Sequence, residues 1–440
     1  MNLLYQKNIY FIDIMSGWLG NTNANRFKQV YLQGFLDISG GDVTLRNGGL
    51  SVNGNTTMNS TLNNYSYDNI NFNTNICKIW NDSLLSSSPN VFQSISISAN
   101  GQYQAAVSKK PGNTGGNIYI SNNYGLSNSW RDTNIVTSRK DSSIFNQISI
   151  SKSGQYITAV AHPINNSDSG NIYLSNDYGS SWSIRNPLSG AMQSVSLSNT
   201  GQYQTIVTYG FNNTTVTNGY IYTSSDYGNS WTPRITLTQG FQSVAISSTG
   251  QYQVTVQSGT NSNSSGNIYY SNNYGSTWID SQQRVRNYNS NITTSILNNY
   301  ELSQTVAISY DGKYHTVLNI QNGGNILINS NYGSGVWTDT NQQSPYGANG
   351  FLVSVAMSST GQYQIVSTYN TSNINYLNSP GTYSSILLST NYGSPGSWSI
   401  INNNTILPTL PFYSNTFHSL ALSANANYIP GLQNITMKLF

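Results

Sequence analysis

The sequence predicts an all-β chain: a seven-bladed β-propeller of four-stranded antiparallel blades, the last closed by an N-terminal strand, preceded by a short β-rich segment. Three observations carry this prediction. Two short signatures recur six times in fixed order. The segments between them alternate polar and apolar residues with the period of a strand, and no 3.6-residue periodicity appears. The chain before and after the six copies holds the parts of one further unit.

The first signature is Gly-Gln-Tyr, beginning at Gly101, Gly154, Gly201, Gly250 and Gly361, with Gly312-Lys313-Tyr314 as a variant. In chain order the glycines are 53, 47, 49, 62 and 49 residues apart. The second signature follows each by 17 to 28 residues: Ser, any residue, Asp or Asn, Tyr, Gly, then a tryptophan. Its copies place Ser121, Asn123, Gly125 and Trp130; Ser175, Asp177, Gly179 and Trp182; Ser224, Asp226, Gly228 and Trp231. They continue with Ser271, Asn273, Gly275 and Trp278; Asn331, Gly333 and Trp337; and Ser389, Asn391, Gly393 and Trp398.

One unit shows how the pattern resolves into strands. Ser194 to Ser198 alternates, Asn199-Thr200-Gly201 turns the chain, and Tyr203 to Val207 resumes the alternation. Asn218-Gly219 breaks it, Tyr220 to Tyr222 is a third strand, and Ser225 to Gly228 turns into a fourth at Ser230 to Thr232. Four antiparallel strands at this repeat length make a propeller blade. After Trp398 a first strand recurs at 418–423, with a worn turn and strand at 425–428 and a third segment at 434–439. No fourth strand follows. Ahead of the first unit, Ile76, Ile79 and Trp80 mark a strand with a tryptophan and no preceding repeat. That strand is expected to complete the seventh blade and remove its open edge. The expected domains are therefore 1–75 and 76–440.

Composition narrows function. Only 7% of residues are charged, against roughly 25% in ordinary domains. The formal net charge of +3 supplies no field for nucleic acid or an anionic membrane. Cys77 is the single cysteine, which excludes an internal disulfide and a cysteine-held metal. His162, His315 and His418 are too scattered for metal-ligand spacing, so no metal or cofactor is expected. No apolar run is long enough to span a bilayer, and Asp13 cuts short the one early apolar stretch, against a secretory signal.

The second signature resembles the Asp-box of sialidase-type BNR repeats, most closely at Ser175-Asp177-Gly179-Trp182 and Ser224-Asp226-Gly228-Trp231. In families that carry it the box is structural. Its Asp or Asn accepts from N–H groups of its own turn, its Gly takes a positive φ, and its Trp packs between blades. Paired with Gly-Gln-Tyr, it looks like the Asp-box propellers encoded by large double-stranded DNA viruses. The sialidase side of the resemblance implies three converging arginines and a tyrosine beside a glutamate. The chain has eight arginines, no early Arg-Ile-Pro, and one glutamate, Glu301, whose neighbour Tyr300 points to the opposite face of a strand. The arginines read as solvated charges, and no catalytic residue is expected.

Residues 1–75 lack the blade signatures. Short apolar segments at 36–38, 43–45 and 50–52 alternate with glycine turns, a spacing too short to bury a face alone. They look like viral fibre shafts, which implies self-association as a homotrimer or docking onto capsid proteins; the competing reading is an Asn/Gly linker. The expected function is a non-enzymatic virion protein: a propeller displayed on a stalk, binding host glycan or a capsid component. A glycan-processing enzyme and an architectural cement are the alternatives. One consequence is directly measurable. If 76–80 closes the ring, a chain starting at residue 83 should melt well below one starting at about residue 70; equal melting temperatures would remove the composite blade.

Overall fold

The structure is a computed structural model that describes residues 2–6, 9–13, 417–422 and 435–439, and most of 91–401 with short interruptions. Packing divides the chain into Met1–Phe72 and Asn73–Phe440. In the first unit, Asn2–Gln6 pairs antiparallel with Ile9–Asp13, from Asn2 opposite Asp13 to Gln6 opposite Ile9. The segments at 36–38, 43–45 and 50–52, and Ile76, Ile79 and Trp80, lie outside the described residues.

The second unit contains six four-stranded antiparallel sheets, each following chain order from first to fourth strand once the short hairpin Phe211–Asn212/Thr215–Val216 is set aside. The first strands are Val91–Ile97, Ser143–Ile150, Ala191–Leu197, Phe241–Ile246, Val306–Ile308 and Gly350–Met357. Each packs against the first strand of the next sheet. No α-helix occurs among the described residues.

The seventh position departs from expectation. It holds a two-stranded sheet, so the described four-stranded sheets number six and not seven. Phe417–Leu422 packs against the first strands of both the sixth and first sheets, and its partner is Ile435–Leu439, with Leu422 opposite Ile435. The segment expected to be third in this sheet is thus second. In the other six units a glycine with φ between 76° and 86° links first and second strands. The corresponding residues here, the worn turn and strand expected at 425–428, lie outside the described residues.

Why strands form where they do follows from double-sided burial. The second strands of the first and fourth sheets, Gln104–Lys109 and Gln253–Gln257, are buried at every position. Alternate residues serve different neighbours: Ala159 and Ala161 join the core shared with the first sheet, while Val160 joins the core shared with the third. The hydrophobic cores therefore lie between sheets. Each is sealed by the box tryptophan of the later sheet: Trp182, Trp231, Trp278, Trp337 and Trp398 in turn.

The turns are also tied to one another in series. Ala99 N–H donates to Lys152 O, Lys152 to Asn199, Asn199 to Ser248, Ser248 to Tyr310 and Tyr310 to Ser359, all at 2.7–3.0 Å. This continuous relay of main-chain bonds crosses five sheet junctions. Lys152 and Tyr310, from the second and fifth sheets, also meet side chain to side chain, Nζ lying 5.7 Å from the ring centre.

Candidate functional site

The two signatures explain each other in three dimensions. In every unit a buried serine (Ser98, Ser151, Ser198, Ser247, Ser309, Ser358) accepts from the N–H of the first-signature tyrosine at 2.9–3.2 Å. That tyrosine then lies on the next sheet. Tyr103 meets Tyr178, Tyr156 meets Tyr227, Tyr203 meets Tyr274, Tyr252 meets Tyr332 and Tyr314 meets Tyr392, with ring centres 4.5–4.7 Å apart. The same tyrosine covers the next turn glycine so closely that a Cβ on Gly250 would sit 2.6 Å from Tyr203 Cβ. Glycine is required there by space as well as by its φ of 85°.

The box tyrosines adopt left-handed backbone, φ 53° to 63°. For a non-glycine residue this costs about 1–2 kcal/mol. Two contacts offset it: the ring stack, worth roughly 0.5–1.5 kcal/mol, and a bond from the tyrosine N–H to the carbonyl of residue 102, 155, 202, 251, 313 or 362, worth about 1 kcal/mol.

The expected box residues occupy one geometry. Gly125, Gly179, Gly228, Gly275 and Gly393 N–H donate to the Oγ of Ser121, Ser175, Ser224, Ser271 and Ser389; Gly333 donates to Asn329 Oδ1. All six tryptophans donate Nε1–H to the box glycine carbonyl at 3.0–3.2 Å. Asp177 accepts from Ser181 N–H and Oγ–H and Ser175 Oγ–H, and Asp226 from Ser230 and Ser224 alike. Burial alone would raise these carboxyl pKa values, but the hydrogen bonds prevail and both are lowered. Asn273 uses the same acceptor position toward Thr277 N–H. Asn123, Asn331 and Asn391 N–H bond back to residues 121, 329 and 389.

Two concavities result. The central one, about 210 Å³, is lined by the first strands, including Ser96, Ser149, Ser196, Ala245, Ala307 and Ala356. None of its lining side chains titrates near neutral pH. The larger, about 440 Å³, lies between the box loops of the second and third sheets. Tyr156, Trp182 and Tyr227 give it aromatic surface, and Asn176, Ser181, Ser183, Arg185 and Asn229 give it polar groups.

The described arginines do not converge. Arg131, Arg185, Arg234 and Arg284 each sit in the fourth strand of a different sheet. Nor are they merely solvated: Arg131 Nη2 donates to Gly179 O at 2.8 Å across a sheet junction, Arg185 Nη2 to Asn229 Oδ1 at 3.2 Å across the next, and Arg234 Nε to Thr223 Oγ1 at 2.7 Å. Cys77, Tyr300 and Glu301 lie outside the described residues. Among the described residues no group of His, Cys, Asp or Glu is placed to hold a metal, and no helix is long and apolar enough to cross a membrane.

No protein family's sequence profile and no curated protein sequence matches the chain. Solved structures do. The chain is similar to a GH74 xyloglucanase from Xanthomonas campestris, TM-score 0.52 at 11% identity, over 76% of this chain and 49% of that one. It thus spans about half the length of that enzyme. Matches also include YCF48 bound to D1 peptide (TM-score 0.48, 15% identity, 80% and 92% covered) and hydrazine synthase from Kuenenia stuttgartiensis (0.48, 13%, 80% and 96%). At these identities the likeness shows the fold alone: a β-propeller of repeated four-stranded blades.

A buried polar pair recurs at three of the described blade junctions. Thr158, Thr205 and Thr316 donate Oγ1–H to Oε1 of Gln204, Gln253 and Gln364 in the next blade, at 2.6–2.8 Å. Where the threonine is Ala105 the partner is Ile157, so both members turn apolar together. Replacing both members is nearly neutral, whereas losing one strands the other. At the junction of the fourth and fifth blades the threonine position is Val254, in the apolar core shared by the two. His315 occupies the glutamine position there, with Nε2 2.8 Å from Gly312 O and Nδ1 buried without a partner. Burial pushes the His315 pKa down to about 4, although the bond to Gly312 and the Asp311 charge oppose the shift. The unfolded chain then binds a proton that the fold excludes, so this residue costs stability as pH falls below 6.5, with the loss complete near 4. His315→Gln should keep a donor for Gly312 O, as Gln204, Gln253 and Gln364 donate to their own turn glycines, and remove on the order of 2–3 kcal/mol of acid destabilisation. Melting temperature should therefore drop less between pH 7 and 4.5 in the variant than in the parent; parallel curves would refute the assignment.

Proposed function

We propose that this protein is a non-enzymatic binding propeller whose ligand is a glycan, carried on a virus particle and held there by its N-terminal segment. The observation that carries the reading is the 440 Å³ cleft between the second and third blades. Its size falls in the range of ligand pockets, roughly 300–1,000 Å³. Its chemistry suits a pyranose, whose C–H faces stack on Trp182 and Tyr227 while hydroxyls exchange hydrogen bonds with Asn176, Asn229, Ser181 and Ser183. Tyr227 is 38% exposed, so its ring is still available after stacking on Tyr156.

The placement on a particle rests on the resemblance of the paired signatures to viral Asp-box propellers. In the ring itself we read seven blades, the two-stranded sheet being the seventh and 76–80 its closing strand. Within the repeat, Tyr428 takes the position of the first-signature tyrosine. Tyr124 is the box tyrosine a seventh blade would cover, and at 56% it is more exposed than Tyr178, Tyr227 and Tyr274, at 38–40%.

A glycan array probed with the full chain tests the binding. At least one oligosaccharide should be retained, and Tyr227→Ala and Asn229→Ala should each weaken it by about tenfold while unfolding cooperatively. Retention of none, or retention indifferent to both variants, would defeat the reading. Release of free sugar from a bound glycan would make the protein a glycosidase instead.

A further inference from the structure

We infer that the cleft between the second and third blades recognises a sugar-borne anion, carboxylate or sulfate, and that Arg185 is the residue that holds it. The inference rests on the glycan-binding reading above and narrows its ligand class.

Every box presents the same frame, a tryptophan beside a box tyrosine, but the residue three places after the tryptophan differs. It is Thr133, Arg185, Arg234, Ser281, Thr340 and Ile401 in the six units. Only two are cations, and the structure uses them differently. Arg234 turns into its own blade, where Nε donates to Thr223 Oγ1 at 2.7 Å. Arg185 instead crosses to the next blade, spending Nη2 on Asn229 Oδ1. Asn229 is itself fixed, its Nδ2–H donating to Asp226 O at 2.7 Å. The guanidinium is thus aimed by a side chain that the box backbone holds, and its other donors have no partner among the described residues.

The carboxylates of the two flanking boxes are engaged within their own loops. Asp177 and Asp226, in the two flanking boxes, take their hydrogen bonds from the serines of their own loops. At the preceding junction the corresponding position is Thr133, and the arginine present there, Arg131, donates to Gly179 O at 2.8 Å. Arg185 is therefore an oriented cation without a counter-ion at the wall of an aromatic cleft. A planar guanidinium pairs with a carboxylate or sulfate through parallel N–H···O bonds. With a ring seated on Trp182 and Tyr227, such a group would project toward Arg185.

The test uses the full chain and oligosaccharides paired by charge. Hexasaccharides of hyaluronan, polygalacturonate and alginate are each compared with their carboxyl-reduced forms, and a carrageenan hexasaccharide with its desulfated form. At least one charged member should bind ten times or more tightly than its neutral twin. Arg185→Gln should bring the two members of that pair within about twofold of each other. Which pair responds separates carboxylate from sulfate. Equal binding within every pair, or discrimination that survives Arg185→Gln, overturns the anion assignment and leaves glycan binding standing. No binding by any of these oligosaccharides overturns the anion assignment, and an empty glycan array would remove the glycan reading itself.

Discussion

The structure depends on one contact repeated around the ring: a tyrosine from the first turn of each blade laid across the box of the next. It does three things at once. It covers a turn glycine that has no room for a side chain, stacks on a tyrosine held in left-handed backbone, and is itself held by a buried serine. A sheet with one first turn and one box has both halves of the contact but cannot join them. The halves meet only between consecutive blades, so a blade acquires its preferred backbone by having a neighbour. This is how blades in a chain with 7% charged residues hold together through uncharged contacts. The cohesive terms are ring stacking, hydrogen bonds to serine and asparagine, and apolar cores sealed by tryptophan.

The same arrangement locates the cleft. Because the box loops are anchored at their tyrosines and tryptophans, the side chains between them are free to vary. Positions such as 133, 185, 234, 281 and 340 carry no part of the interlock and vary among Thr, Arg and Ser. Variation on a fixed frame is how a repeat architecture makes one junction unlike the others. The likeness to a xyloglucanase leaves chemistry open, since fold alone does not carry an activity.

Much of this was legible in the sequence, for definite reasons. Glycine spacing and strand alternation are local, so the turns at Gly101 to Gly361 and the strands around them can be read directly. The positive φ of the box glycine and the turn-capping role of Asp177 and Asp226 are likewise local. The left-handed tyrosines were not legible, because the residue that makes them tolerable is about 70 residues earlier, in another blade. Nor was the cleft: Arg185 and Asn229 are 44 residues apart and look like unrelated surface residues until the blades are packed. The pairing of Phe417–Leu422 with Ile435–Leu439 was not legible either, because nothing local in those segments says which later stretch lies beside the first. His315 passed as a scattered histidine; only the threonine–glutamine pairs around it show what it replaced.

A double-mutant cycle on Tyr203 and Tyr274, whose rings are 4.6 Å apart across the third and fourth blades, tests the interlock most directly. Unfolding free energies would be measured for Tyr203→Ala, Tyr274→Asn and the double variant, asparagine being chosen because it tolerates left-handed backbone. The interlock predicts a coupling of about 0.5–1.5 kcal/mol, with Tyr274→Asn costing less once Tyr203 is gone. Additive effects would mean that the blades stand side by side without depending on this contact.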